Sequence, residues 1–142
     1  MELEVYKNRQ MDGARNNPQT WNWCVNINVR SGVMCINLRM RDDLKLDEPG
    51  MRVMVAKSGD GDWYLSFGTG DNFDNLNSRI LKIFRNRSSR GGMQFSCRKA
   101  AIDIAQKVNA ITGATLTVSR KPVKVNGVEW YKINHKHPIR VN

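Results

Sequence analysis

Residues 20–41, TWNWCVNINVRSGVMCINLRMR, constrain the fold more than any other stretch. Trp21, Trp23, Val25, Ile27 and Val29 take alternate positions, with Asn22, Cys24, Asn26 and Asn28 between them. A period of two belongs to a strand with one buried face. Ser31-Gly32 supplies a two-residue turn, since Gly32 can take a positive φ. Beyond it Met34, Ile36, Leu38 and Met40 repeat the alternation. Pairing Arg30 with Val33 sets Val29 against Met34, Ile27 against Ile36, Val25 against Leu38 and Trp23 against Met40. A slip of one residue would turn every apolar side chain to solvent, so the register is well specified. The stretch predicts an antiparallel hairpin whose other face, carrying Asn22, Asn26, Asn28, Arg30, Asn37, Arg39 and Arg41, is wet. The same register holds Cys24 and Cys35 too far apart for a disulfide.

The flanking segments extend this picture. Residues 1–7 suggest a short edge strand, and 8–19, with Gly, Pro and several Asn, a flexible loop. Residues 42–50, DDLKLDEPG, form an acidic loop. Met51 to Gly68 predicts a second hairpin around Ser58-Gly59-Asp60-Gly61, with Trp63, Leu65 and Phe67 inward. The period then changes. Leu76, Ile80, Ile83 and Phe84 follow helical spacing, which predicts an amphipathic helix over 71–87. Met93 to Phe95 suits a short strand. Ser96 stands as the N-cap of a second helix ending before Gly113, with Ala101, Ile104, Ala105 and Val108 inward. Thr115 to Ser119 is rich in β-formers, and Pro122 marks an edge or bend. Asn126-Gly127 is the strongest turn signal in the chain, pairing Val125 with Val128, Lys124 with Glu129 and Val123 with Trp130. Residues 135–142 are a flexible tail.

The expectation is one α+β domain over 1–142: a curved antiparallel sheet of two to three β-hairpins packed by two amphipathic helices. Two hairpins followed by a helix, residues 20–87, is similar in element order to the ββββα unit of the Whirly single-strand DNA-binding proteins. Matching residues do not carry that similarity, so it assigns no site. AAIDIAQKVNAITGATLTVSR loosely resembles a helix-turn-helix, but its gap is longer than the usual tight turn and TLTVS alternates like a strand.

Charge divides the chain. Residues 1–78 hold nine Lys/Arg and eleven Asp/Glu, whereas residues 79–142 hold fourteen Lys/Arg against Asp103 and Glu129 alone. The whole excess of +10 thus lies in the second half. Clustered cations bind nucleic acid by releasing counterions, without contacts to bases. Arg85, Arg87 and Arg90 lead out of the first predicted helix, and Arg98 and Lys99 open the second. Arg120, Lys121, Lys124 and Lys132 line the last strands. Trp130 faces the predicted core, leaving Tyr131 to stack bases among those cations. The expected function is non-catalytic nucleic-acid binding, single-stranded or tolerant of sequence. The alternatives are a structural or assembly protein that meets an acidic partner and, less favoured, a metal-dependent nuclease using Asp60 and Asp62.

Other chemistry finds little support. His135 and His137 fall in the predicted tail, so no catalytic Ser-His-Asp or Cys-His set is proposed. Three cysteines without a CxxC spacing suit a reducing compartment and not a structural zinc site. Gly68-Thr69-Gly70 lacks the Lys-Ser/Thr of a phosphate loop. No cofactor is expected. No apolar run approaches the ~20 residues of a membrane helix, and the N-terminus lacks the apolar core of a secretory signal. These features together point to a cytoplasmic protein. The 20–41 hairpin has an edge that a second copy can pair with, so a homodimer is an open expectation.

Overall fold

The computed structural model describes residues 21–70, 73, 77–83 and 92–142. In chain order they form β1 (Cys24–Asn28), β2 (Val33–Ile36), α1 (Leu38–Leu44), β3 (Arg52–Lys57) and β4 (Trp63–Gly68). β5 (Ser78–Ile80), β6 (Lys82–Ile83), β7 (Met93–Ser96) and α2 (Arg98–Lys107) follow. The chain finishes with β8 (Gly113–Val118), β9 (Val123–Val125), β10 (Val128–Asn134) and β11 (Arg140–Val141). The strands make one antiparallel sheet in the order β5-β3-β4-β10-β8-β1-β2-β7-β6, with β11 on β8 and β9 on β10. The α+β class holds, but the sheet dominates and the helices are accessory to it.

The two ends of that order are neighbours in sequence. Ser78–Ile80 pairs with β3, Lys82–Ile83 pairs with β7, and the Leu81 N–H donates to the Met51 carbonyl at 3.2 Å. One short segment therefore changes partners at Leu81 and nearly closes the sheet into a barrel. Closure satisfies the edge hydrogen bonds that an open sheet would leave exposed. This segment falls inside the predicted helix over 71–87, which is incorrect for 78–83; the remainder, apart from residues 73 and 77, lies outside the described residues. Ile80 and Ile83 satisfy a helical period over so short a run only by coincidence, and pairing with two separate strands decides the outcome. The ββββα order is not kept either, because strands stand where its helix would be.

The first hairpin forms, but in a register shifted by two. Val25 faces Ile36 and Ile27 faces Met34. An even shift keeps the same faces inward, and Trp23, Val25, Ile27, Met34 and Ile36 are all buried. The turn is longer than two residues: the Gly32 N–H reaches the Asn28 carbonyl at 2.9 Å. Gly32 has φ +73°, and a Cβ there would lie 2.9 Å from Arg98 Cα, so this turn packs against the start of α2. Leu38 and Met40 belong to α1, not to a strand. Asn37 is its N-cap, accepting from the Met40 N–H at 3.2 Å. Ile36, Met40 and Leu44 are spaced by four, a helical period hidden within the alternating one.

The second hairpin forms as predicted, with Val53 against Phe67 and Val55 against Leu65. α2 begins later and ends earlier than predicted. Ser96 is in β7, Cys97 is an N-cap without a side-chain hydrogen bond, and Asn109, at φ +58°, follows the last turn. Gly113 opens β8 instead of closing the helix. A Cβ on it would stand 2.5 Å from the Ile27 carbonyl oxygen, so a bare backbone lets β1 and β8 approach. Ala100, Ala101, Ile104 and Ala105 pack α2 into the core. The last hairpin keeps its predicted register, and Asn126 and Gly127 both have positive φ, as a type I′ turn requires. Its apolar face is not in the core, however: Val123 is 49% exposed and Val125 50%. The tail is not free. β11 lies along β8, and the Ile139 N–H donates to the Thr115 carbonyl at 2.8 Å.

The register also fixes which features share an end of the barrel. The turn at 29–32, the turn at 58–62 and α2 lie at one end. Trp23, α1, the link 119–122 and the β9–β10 ribbon lie at the other.

Candidate nucleic-acid interface

The α1 end is built from three pieces of chain. Asn37 ties two of them together: its Nδ2 donates to the Asn22 carbonyl at 2.6 Å while its Oδ1 caps α1 and accepts from the Cys24 N–H at 3.2 Å. Arg39, in the first turn of α1, lies with its guanidinium carbon 5.6 Å from the centre of the Trp21 ring. Trp21 is 51% exposed. The third piece is the β8–β9 link. Arg120 donates to the Trp21 carbonyl, pairs with Asp43 at 3.6 Å and sits 5.4 Å from the Trp23 ring. Asp43 also accepts from Trp23 Nε1 at 2.8 Å. The exposed indole thus has the Arg39 guanidinium beside its ring and Arg120 at its backbone carbonyl, with Lys121 exposed on the link and Lys124 on the adjoining ribbon. A ring beside a guanidinium, with further cations nearby, can stack a base while the charges meet the phosphates.

The predicted site residues separate under this geometry. Arg120, Lys121 and Lys124 come together at the α1 end. Arg98 and Lys99 are exposed at the opposite end, in the first turn of α2, where Arg98 Nη2 donates to the Arg30 carbonyl at 3.1 Å. Lys132 lies on the outer wall, 3.5 Å from Asp62. Arg85, Arg87 and Arg90 lie outside the described residues.

Tyr131 is a correction. It is 9% exposed, its ring lies edge-on to Trp23 at 5.5 Å, and Phe67 is 6.3 Å away. β10 runs from the protruding ribbon into the barrel wall, and this parity turns Tyr131 inward, so it offers no stacking face. Burial, with the nearby Glu129 carboxylate, pushes its phenol above the usual range. Trp21 takes its place as the exposed aromatic. Sequence alternation set Trp21 in the buried row, but β1 begins only at Cys24. Arg39 was equally hidden by the strand reading; Asn37 as a helix cap was the signal that could have found it.

Among the described residues four carboxylates are held in ion pairs. Arg41 pairs with Asp42, Arg120 with Asp43, Lys132 with Asp62, and Lys57 and Lys107 with Asp103. Lys82, Lys99, Lys121, Lys124, Lys136 and Arg140 are exposed with no carboxylate within ion-pair distance among the described residues. Burial pushes the Cys24 thiol up to about 11 and raises Cys35 as well, which disfavours a thiolate nucleophile at either. All three cysteines are free thiols. Among the described residues no three His, Cys, Asp or Glu side chains converge as a metal site would need, and no helix is long and apolar enough to cross a membrane. Comparison with protein-family models, curated proteins and solved structures gives no match.

Proposed function

We propose that this chain is a non-catalytic, cytoplasmic nucleic-acid-binding protein that takes single strands with little regard to sequence, through the α1 end of its barrel. The observation that carries the reading is the exposed Trp21 beside Arg39 and Arg120, with Lys121 on the same link as Arg120 and Lys124 on the neighbouring ribbon. Stacking on an indole tolerates any base, and phosphate neutralisation reads none, so the combination favours sequence-tolerant binding. The excess charge adds to it: among the described residues Lys121 and Lys124 have no carboxylate within ion-pair distance, and Arg120 alone of the three is paired, with Asp43.

A labelled oligonucleotide titrated at two salt concentrations tests the reading. Binding should weaken as salt rises and should quench tryptophan fluorescence. No binding at low salt, or an affinity indifferent to salt, would sink it. A second reading rests on the exposed Val123 and Val125 of the ribbon, which suit a protein partner with an acidic rim. Competition between a defined oligonucleotide and such a partner separates the two.

A further inference from the structure

The outer wall carries a second feature that the α1 end does not use. An open depression of about 280 Å³ is lined by Asp62, Thr117, Lys132, Asn134, His135, Lys136 and His137. We propose that this depression is a binding site for a phosphate group, carried either by a free phosphate or phosphomonoester or by a phosphodiester backbone. The proposal goes beyond the reading of the α1 end and does not depend on it.

Three observations support it. The first is charge. Lys132 and Lys136 face a single carboxylate, Asp62, so the lining is positive even with both imidazoles neutral, and each imidazole adds a charge when protonated. A metal is disfavoured by the same groups: ammonium side chains stand where ligands would be, and no three ligating side chains converge among the described residues.

The second is a prearranged donor set. Asp62 turns one oxygen toward His135 Nδ1 at 3.6 Å and the other toward Lys132 Nζ at 3.5 Å, so it faces both groups while leaving the other Lys132 protons available, and a His135 Nε2 proton whenever the ring is protonated. On the far side Ser119 Oγ donates to Asn134 Oδ1 at 3.1 Å, and Asn134 Nδ2 donates to Thr117 Oγ1 at 3.2 Å. Because Thr117 accepts there, its own hydroxyl proton is free to be donated to an anion.

The third is rigidity. Asp62 is fixed by the β3–β4 turn, where its carbonyl accepts from the Ser58 N–H at 2.8 Å and its N–H donates to Ser58 Oγ at 3.2 Å. Residues 135–138 are held between β10 and β11, with Ile139 bonded to Thr115 and the Asn142 N–H bonded to the Gly113 carbonyl at 2.8 Å. A site built before its ligand arrives spends little on ordering itself. The volume lies at the small end of ligand pockets and suits a phosphate with one attached group.

The test is titration of the full chain with orthophosphate, and separately with a dinucleoside monophosphate that has only a diester, following backbone amide shifts at matched chloride. Saturable shifts confined to Asp62, Thr117 and residues 132–137 are expected with at least one probe. Binding by orthophosphate alone assigns a free phosphate or monoester, and binding by the diester alone assigns a nucleic-acid backbone. Lys132→Gln and Lys136→Gln should each weaken that binding about tenfold, whereas Lys124→Gln, on the ribbon, should leave it unchanged. Lys136 is exposed, so its variant folds even if that at Lys132 does not. Shifts that fail to saturate, that chloride reproduces, or that survive K136Q would overturn the proposal. None of these outcomes bears on oligonucleotide binding at the α1 end.

Discussion

The two ends of the barrel use the same fastening in different surroundings. At each, a helix carries an aspartate that accepts from a tryptophan indole at or just before the start of a strand: Asp43 from Trp23 at 2.8 Å, and Asp103 from Trp63 at 2.6 Å. At the α2 end the fastening is self-contained. Lys57 and Lys107 both lie 3.3 Å from Asp103, and Lys107 also reaches the Gly61 carbonyl, so helix and hairpin turn are locked together. The Trp63 indole first, and then Lys107 and Lys57, hold the Asp103 carboxyl below the usual carboxylate range, against the opposing effect of its partial burial. At the α1 end Asp43 has one cation among the described residues, Arg120, which is shared with the Trp21 carbonyl, and Trp21 remains exposed. One end locks its helix to the neighbouring hairpin through a carboxylate shared by an indole and two lysines. The other leaves cations and an aromatic ring over, and those are the raw material of an interface.

The broadest way to break this comparison is through the core beneath each helix. Ile104→Ala in α2 and Met40→Ala in α1 remove side chains that are 1% and 0% exposed. Each should cost about 2–5 kcal/mol of stability in denaturant unfolding. A much smaller loss for Met40 would show that α1 is not an equal partner in closure. Next in size, Trp21→Ala should weaken oligonucleotide binding by about 1–3 kcal/mol while leaving unfolding within about 0.5 kcal/mol of the parent. Equal losses in both measurements would make Trp21 a structural residue.

The Asp103 fastening comes third. Asp103→Asn should cost about 1–2 kcal/mol at neutral pH, because a charge-assisted acceptor becomes a neutral one. The sign with pH follows from the lowered value. The native carboxylate resists protonation more than the unfolded one, so its contribution is complete above the unfolded value and is lost as pH falls through the native one. The parent should therefore lose stability faster than D103N below about pH 4, as melting curves across the acid range would show. The smallest effect separates the two ends directly. Lys121→Gln should reduce oligonucleotide affinity about two- to fivefold and make the salt slope shallower, while Lys99→Gln should change it less than about twofold. The reverse order would move the interface to the α2 end.

Much of the sheet was legible before any coordinates. The second hairpin forms around its predicted turn, Ser58–Gly61, and the last keeps its predicted register, because Asn126-Gly127 acts locally and fixes pairing at once. The first hairpin kept its faces but not its register: parity survives a shift of two, and its turn lacked a comparably decisive pair. The candidate site was legible only in part. Arg120, Lys121 and Lys124 stood out by charge, but charge carries no address, and Arg98 and Lys99 looked equivalent to them until topology put them at the opposite end. Tyr131 and Trp21 exchanged roles for a similar reason. Whether an aromatic is inside depends on where its strand enters the wall, which alternation alone does not state.

What the sequence determined by itself was local: which runs pair as strands, which faces are apolar, where the turns stand, and that the positive charge belongs to the second half. Only the tertiary structure decided that Ser78–Ile83 bridges β3 and β7 to nearly close the sheet, that Asn37 begins a helix where a strand was expected, and which cations share an end. The physical reason is range. Turn chemistry and side-chain alternation act over a few residues and are written in them. Closure, caps shared between segments and ion pairs such as Arg120–Asp43 join residues far apart in the chain, and only the packed fold selects among the partners available to each.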